Sequence, residues 1–216
     1  MSKFLKWLDN YWYHYKWTTL VVTFFLVLGI ILTVQLFERE DYDIYVMYVG
    51  NETIPDTQYQ DILDSLKAVS KDYNEDKKHL VNFSKTAFIS DEENDLASPI
   101  NAIAKESLQN LLVQPYYIYL MSAAAYELYK DSGVFLPISE LVEDIPEEWM
   151  YDDTAVYFDK TTYANSFAGV DDLGGDTLLL IKNVPYSPSK STRTAEQISY
   201  NYHLDMLKNI LSYEKN

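Results

Sequence analysis

Residues 18–37 read TTLVVTFFLVLGIILTVQLF, a run without charge or proline whose one strongly polar side chain is Gln35. A helix of roughly 20 mostly apolar residues crosses the hydrocarbon core of a bilayer and satisfies its backbone hydrogen bonds internally. The run therefore predicts a transmembrane helix, dividing the chain into a short tail and a polar region from Glu38 onward. A soluble helix this apolar on every side would need a large core around it. A cleaved secretory signal has a shorter apolar core followed by small residues, whereas the exit here reads Thr33, Val34, Gln35, Leu36, Phe37, Glu38. The expectation is an uncleaved signal anchor. The chain has no cysteine, which excludes a lipid-modified one.

Flanking charge sets the expected orientation. Lys3, Lys6 and Lys16 precede the span against one acid, Asp9, while Glu38, Arg39, Glu40, Asp41 and Asp43 follow it. Lysine and arginine are retained on the cytoplasmic side. Residues 1–17 are then a cytoplasmic tail, 18–37 a transmembrane signal anchor in the cell membrane, and 38–216 an extracytoplasmic domain. Of 17 basic and 33 acidic residues, three and one lie up to Phe37, so the remainder has 14 and 32, a net charge of −18. Such a surface repels nucleic acid and anionic headgroups. In the tail, Phe4, Leu5, Leu8, Tyr11, Trp12 and Tyr15 form an apolar stripe at helical spacing. Its tryptophans and tyrosines suit the membrane–water interface. The stripe reads as an interfacial helix that fixes anchor depth, with docking to another membrane subunit as the rival reading.

Beyond the anchor, 176 residues from Asp41 suffice for one domain of ordinary size. The absence of cysteine removes disulfides, Cys-ligated zinc, iron–sulfur clusters and thiol nucleophiles together. The domain must rely on its core, which suits a bacterial envelope protein.

DIYVMYV at 43–49 is apolar on both faces and predicts a strand covered on both sides. Pro55 and Asp56 open a helix with Tyr59, Ile62, Leu63, Leu66, Val69 and Tyr73 on its buried stripe. Residues 80–89 predict a second strand with an irregular middle at Ser84 and Lys85. Ser98 and Pro99 start a helix at 98–112. YYIYLM at 116–121 predicts a third strand, and Ser122 caps a short helix closed by Gly133. This β-α-β-α-β-α order predicts an α/β domain of three layers with a mostly parallel sheet. The second half is less regular: a turn at 138–142, a half-exposed strand at 154–159, a glycine-bearing loop at 166–176, a strand at 177–182, and a closing helix from a Thr194/Gln197 capping box.

The order strand, helix, strand, helix, followed by YYIYLMSAAAYELYKDSGVFLPISELVED at 116–144, resembles extracellular solute-binding proteins of the type 2 periplasmic fold. In that family a third strand leads to a short helix, a glycine, an apolar residue and a turn of the form pL-x-x-L, matched here by Gly133, Phe135, Leu136, Pro137 and Leu141. The family is two-lobed, and residues 154–190 are too few for a second lobe. The resemblance implies a one-lobed, membrane-anchored relative.

Ligands of open α/β sheets bind outside the carboxyl ends of the strands. Here these ends are Gly50-Asn51, Ser90-Asp91 and Met121-Ser122, the candidate ligand-binding residues. No catalytic or metal residues and no cofactor are assigned. Asp171, Asp172 and Asp176 do not fit the calcium-loop pattern. Ser187 to Lys190 fits S-x-x-K, but Pro188 follows the serine and the partner motifs are missing. His14, His79 and His203 are far apart in sequence. The reading is a single-pass membrane protein, not an enzyme, with a binding or assembly domain beside other envelope proteins. The alternative is a solute-binding-like sensor or transport accessory recognising a small molecule at the strand ends. Protease added to intact cells is expected to degrade the region beyond residue 41 and spare an epitope tag at the N-terminus; the reverse pattern would invert the assigned orientation.

Overall fold

The structure, a computed structural model, describes residues 3–37, 41–50, 54–89, 99, 102–103, 105–106, 109, 114–170, 173, 175–184 and 187–214. Two compact units divide at residues 41 and 42.

The first unit is helix α1, Lys3–Phe37. At 1.5 Å per residue it is about 52 Å long, more than the hydrocarbon core alone requires. Its Phe4–Gln35 segment is long and apolar enough to cross a membrane, and its most apolar 18-residue stretch has a mean hydropathy of 2.4. The tail and the span, read separately from the sequence, form one uninterrupted helix. Tyr11 and Thr19 share a hydrogen bond of 2.9 Å across the junction. Phe4, Trp7, Tyr11 and Tyr15 stack in series, with centroid separations of 6.3, 5.8 and 5.4 Å.

The second unit is a mixed α/β domain. Its elements are β1 (Ile44–Gly50), α2 (Asp56–Val69), β2 (Val81–Ala87), β3 (Ile118–Ser122), α3 (Ala123–Glu127), β4 (Val156–Tyr157), β5 (Thr177–Ile181) and α4 (Lys190–Leu211). Of the helix expected at 98–112, Pro99, Ala102, Ile103, Lys105, Glu106 and Gln109 are helical; its other residues up to 112 lie outside the described set. The sheet order is β2-β1-β3-β5-β4. β1 pairs in parallel with β2 and β3, whereas β5 is antiparallel to both β3 and β4. Four of the five strands thus share a direction, and the sheet is mostly parallel. Residues 154–190 supply β4 and β5 to this same sheet.

Alternation along the strands sorts side chains into two cores. Ile44, Val46 and Tyr48 of β1 join Ile118, Leu120, Leu179 and Ile181 beneath Ile62 and Leu66 of α2 and Leu207 and Ile210 of α4. Met47, Val49, Tyr119, Met121, Leu178 and Leu180 face the other way, onto Ala125 and Tyr126 of α3 and onto Phe135.

Three local expectations are corrected. β2 has no irregular middle: all of Val81–Ala87 pairs with β1. Ser84 bonds Asn82 and Tyr116, and the Lys85 ammonium donates to the Ile54 carbonyl at 2.8 Å, so its polar side chains are satisfied without breaking the ladder. The strand expected at 154–159 is only two residues long, because a 3₁₀ turn at Phe158–Lys160 bends the chain away. α4 starts before Thr194: Ser189 is its N-cap, and Thr194 lies inside the helix with its hydroxyl on the Lys190 carbonyl.

One buried carboxylate fastens the start of β1 to the turn preceding β2. Asp43, 3 % exposed, accepts the backbone N–H groups of Tyr73 and Asn74 on Oδ1 at 2.8 and 3.1 Å, and that of Leu80 on Oδ2 at 2.9 Å. Asp43→Ala leaves three donors without this acceptor. It is expected to cost about 3 kcal/mol or more in chemical denaturation of the full chain; a loss below about 1 kcal/mol would show that water replaces the carboxylate.

Candidate functional site

The strand ends expected to hold a ligand are closed where they are described. Gly50 is buried, and a methyl there would overlap the Tyr48 ring, with Cζ at 2.6 Å. Met121 is fully buried in the second core. Ser122 is 3 % exposed and caps α3, its Oγ accepting the Ala125 N–H. The loop before β5 covers this end of the sheet. Val170 and Leu173 are each 2 % exposed, the Leu173 carbonyl accepts the Thr177 and Tyr48 hydroxyls, and the Asp176 carbonyl accepts the Ala123 N–H. Asn51, Ser90 and Asp91 lie outside the described residues.

An open cavity of about 420 Å³ lies instead at residues 139–153. Pro137 ends an extended segment, and the 3₁₀ turn Ile138–Glu140 follows. The Ile138 side chain is fully buried and its carbonyl accepts the Leu141 and Val142 N–H groups, which fixes the first wall. Asp144, with φ of 61°, reverses the chain. After Pro146 a second 3₁₀ turn, Glu147–Trp149, leads into the far wall. That wall is tied back where Ser139 donates its N–H and hydroxyl to the Asp153 carbonyl at 3.2 and 3.1 Å. Asp152 holds the bend, accepting the Thr154 and Ala155 N–H groups on Oδ1 and the Tyr126 hydroxyl on Oδ2.

The lining combines Val142, Ile145 and Met150 with the carboxylates of Glu143, Asp144, Glu147, Asp152 and Asp153. From Asp131 to Asp159 the chain carries nine acidic residues and no lysine, arginine or histidine. Among the described residues the ion pairs are Lys67–Asp64, Lys71–Asp205 and Lys130–Glu127, and none reaches the cavity. A lining that mixes apolar side chains with carboxylates outside any described ion pair favours an apolar group that carries positive charge. In the sequence, Glu143 to Asp153 is an acidic stretch that carries Pro146 and Trp149. The apolar Val142, Ile145 and Met150 beside these acids are legible there, but the two turns that fold them over one concavity are not.

A second cluster is interior. His203, fully buried on α4, accepts the Tyr45 N–H on Nε2 at 2.9 Å, and its Nδ1–H donates to the Ser199 carbonyl at 2.6 Å. A backbone amide only donates, so Nε2 must be unprotonated and the ring neutral. Burial above all, with nearby Lys182 adding to it, pushes the His203 pKa down to about 4. Lys182, 1 % exposed, donates to the Gln114 carbonyl at 2.6 Å and lies 5.0 Å from the Tyr117 ring centroid. Burial lowers its pKa to about 8 and raises that of Tyr117 to about 12. These groups are closed off from solvent and bound to backbone atoms, which makes them pins between α4, β1 and β5. Among the described residues no group of three or more acidic or histidine side chains is placed to hold a metal ion.

The chain matches no protein-family model, no curated protein and no solved structure with which it was compared.

His203 makes stability pH-dependent. Its folded pKa of about 4 lies below the ordinary 6.5, so between these values the unfolded chain binds the extra proton. This contribution is complete above pH 6.5 and falls by on the order of 3 kcal/mol as the pH drops to 4. His203→Gln is expected to flatten the fall over that window in denaturation measured at several pH values. An unchanged slope would assign it to other groups.

Proposed function

We propose that this is a single-pass membrane protein with a cytoplasmic N-terminus, whose domain at 38–216 binds or assembles with other envelope proteins and catalyses no reaction. The observation carrying this reading is the cavity at residues 139–153, lined by acidic and apolar side chains. It opens to solvent, and its carboxylates are not spent on ion pairs among the described residues. Helix α1 supports the tether, since it has the length and apolarity of a spanning segment. Kinship with one lobe of a type 2 periplasmic solute-binding protein belongs to the same proposal. It is supported by the two parallel pairings of β1, and by Gly133 in the left-handed region ahead of the Phe135–Leu141 turn. A small-molecule sensor acting at the strand ends draws no support from Gly50, Met121 or Ser122, which are buried.

The test is cross-linking of the full chain in native membranes. Wild type is expected to give adducts above the monomer, and Glu143→Lys combined with Asp144→Lys and Glu147→Lys to lose most of them. These three residues are exposed, so the triple variant is expected to keep the parent's folded signal. Adducts of unchanged pattern and amount would move the recognition surface elsewhere and defeat the assignment.

A further inference from the structure

The first half of α4 carries the opposite of the acidic cavity. Between Asp176 and Glu196 the chain has no acidic residue, but Lys182, Lys190 and Arg193 are there. Lys182 is buried, whereas Lys190 and Arg193 are exposed, one helical turn apart on the same face. The same face continues through Thr194 and Gln197 to Ile198, an isoleucine left 46 % exposed. These residues line a shallow groove of about 440 Å³. Two cations followed by an exposed apolar side chain are what a concavity lined by carboxylates together with Val142, Ile145 and Met150 accommodates. In a region with a net charge of −18, the 19 residues from Thr177 to Ala195 carry three basic side chains and no acidic one.

We propose that the occupant of the acidic cavity is the Lys190–Ile198 ridge of a second copy of this chain. The inference rests on the reading of that cavity as a protein-binding surface and names its partner. The contact is head-to-tail: cavity of one copy, ridge of the next. Such heterologous contacts close into rings or run on as open chains, according to the rotation between neighbours. Copies anchored by α1 in one bilayer meet at an effective concentration far above that of free domains, so a modest contact suffices. The attraction is between exposed charges and is screened by salt.

The absence of native cysteine makes the test direct. Ser139 at the cavity and Thr194 on the ridge are both exposed. Ser139→Cys and Thr194→Cys are introduced into separate, differently tagged full-length copies, co-expressed in one membrane and treated with a short bismaleimide. The mixed pair is expected to yield dimers, at least about tenfold more than either variant alone, and less at high salt. Glu143→Lys with Glu147→Lys on the Ser139→Cys copy, or Lys190→Glu with Arg193→Glu on the Thr194→Cys copy, is each expected to cut the yield about tenfold. Both reversals together are expected to restore it, which also shows that the variants fold. Dimers formed equally by single variants, or no recovery in the combined reversal, would overturn the proposal. If the mixed pair gives no dimer while other adducts in the membrane still depend on the acidic residues, the second copy is removed as the occupant and the cavity keeps its protein-binding role.

Discussion

The domain depends on three central strands that are dry on both faces. β1, β3 and β5 are almost wholly buried, so the sheet exists only if both of its sides are covered. α2 and α4 cover one side, and α3 with the Phe135 turn covers the other. Burying a large apolar side chain contributes about 1.5–3 kcal/mol, and every central strand supplies such residues to both layers. The polar fastenings are secondary in energy but decide the geometry. The Asp43 carboxylate fixes where the chain enters β1, and the neutral His203 ring fixes α4 against the backbone of the same strand.

The same burial explains what was legible beforehand. The runs at 43–49 and 116–121 are apolar at successive positions, which only a doubly covered strand tolerates, and both are strands. The direction of β5 was not legible, because TLLLI pairs equally well either way; what reverses it is the loop that returns over the strand ends. That loop's described residues Val170 and Leu173 are buried at that end of the sheet, and the burial of Gly50, Met121 and Ser122 there could not be read from their identities. The capping pattern at Thr194 pointed to a later start for the closing helix, but Ser189 caps it five residues earlier. The longer helix puts Lys190 and Arg193 on a common face. His203 gave no local signal, since its partner Tyr45 is 158 positions away.

Charge is distributed with more order than the net value conveys. The segment from Asp131 to Asp159 is uniformly acidic and lies in turns, while the basic residues after Asp176 are gathered near the start of a long helix. Hydrogen bonds from Ser139 to the Asp153 carbonyl, and from the Thr154 and Ala155 N–H groups to the Asp152 carboxylate, hold these turns without an ion pair. The helix does the same for the cations. Under the proposed contact, both surfaces are held in place beforehand, so little ordering would accompany it.

The outer margins of the sheet have a consequence for crowding. Among the described residues, one margin is β4, only two residues long, and the other is β2, where Lys85 interrupts an otherwise uncharged strand. Short borders and inward or flanking lysines are the devices by which β proteins avoid templating a neighbour's backbone. The two margins therefore offer little exposed backbone on which another chain could add a strand.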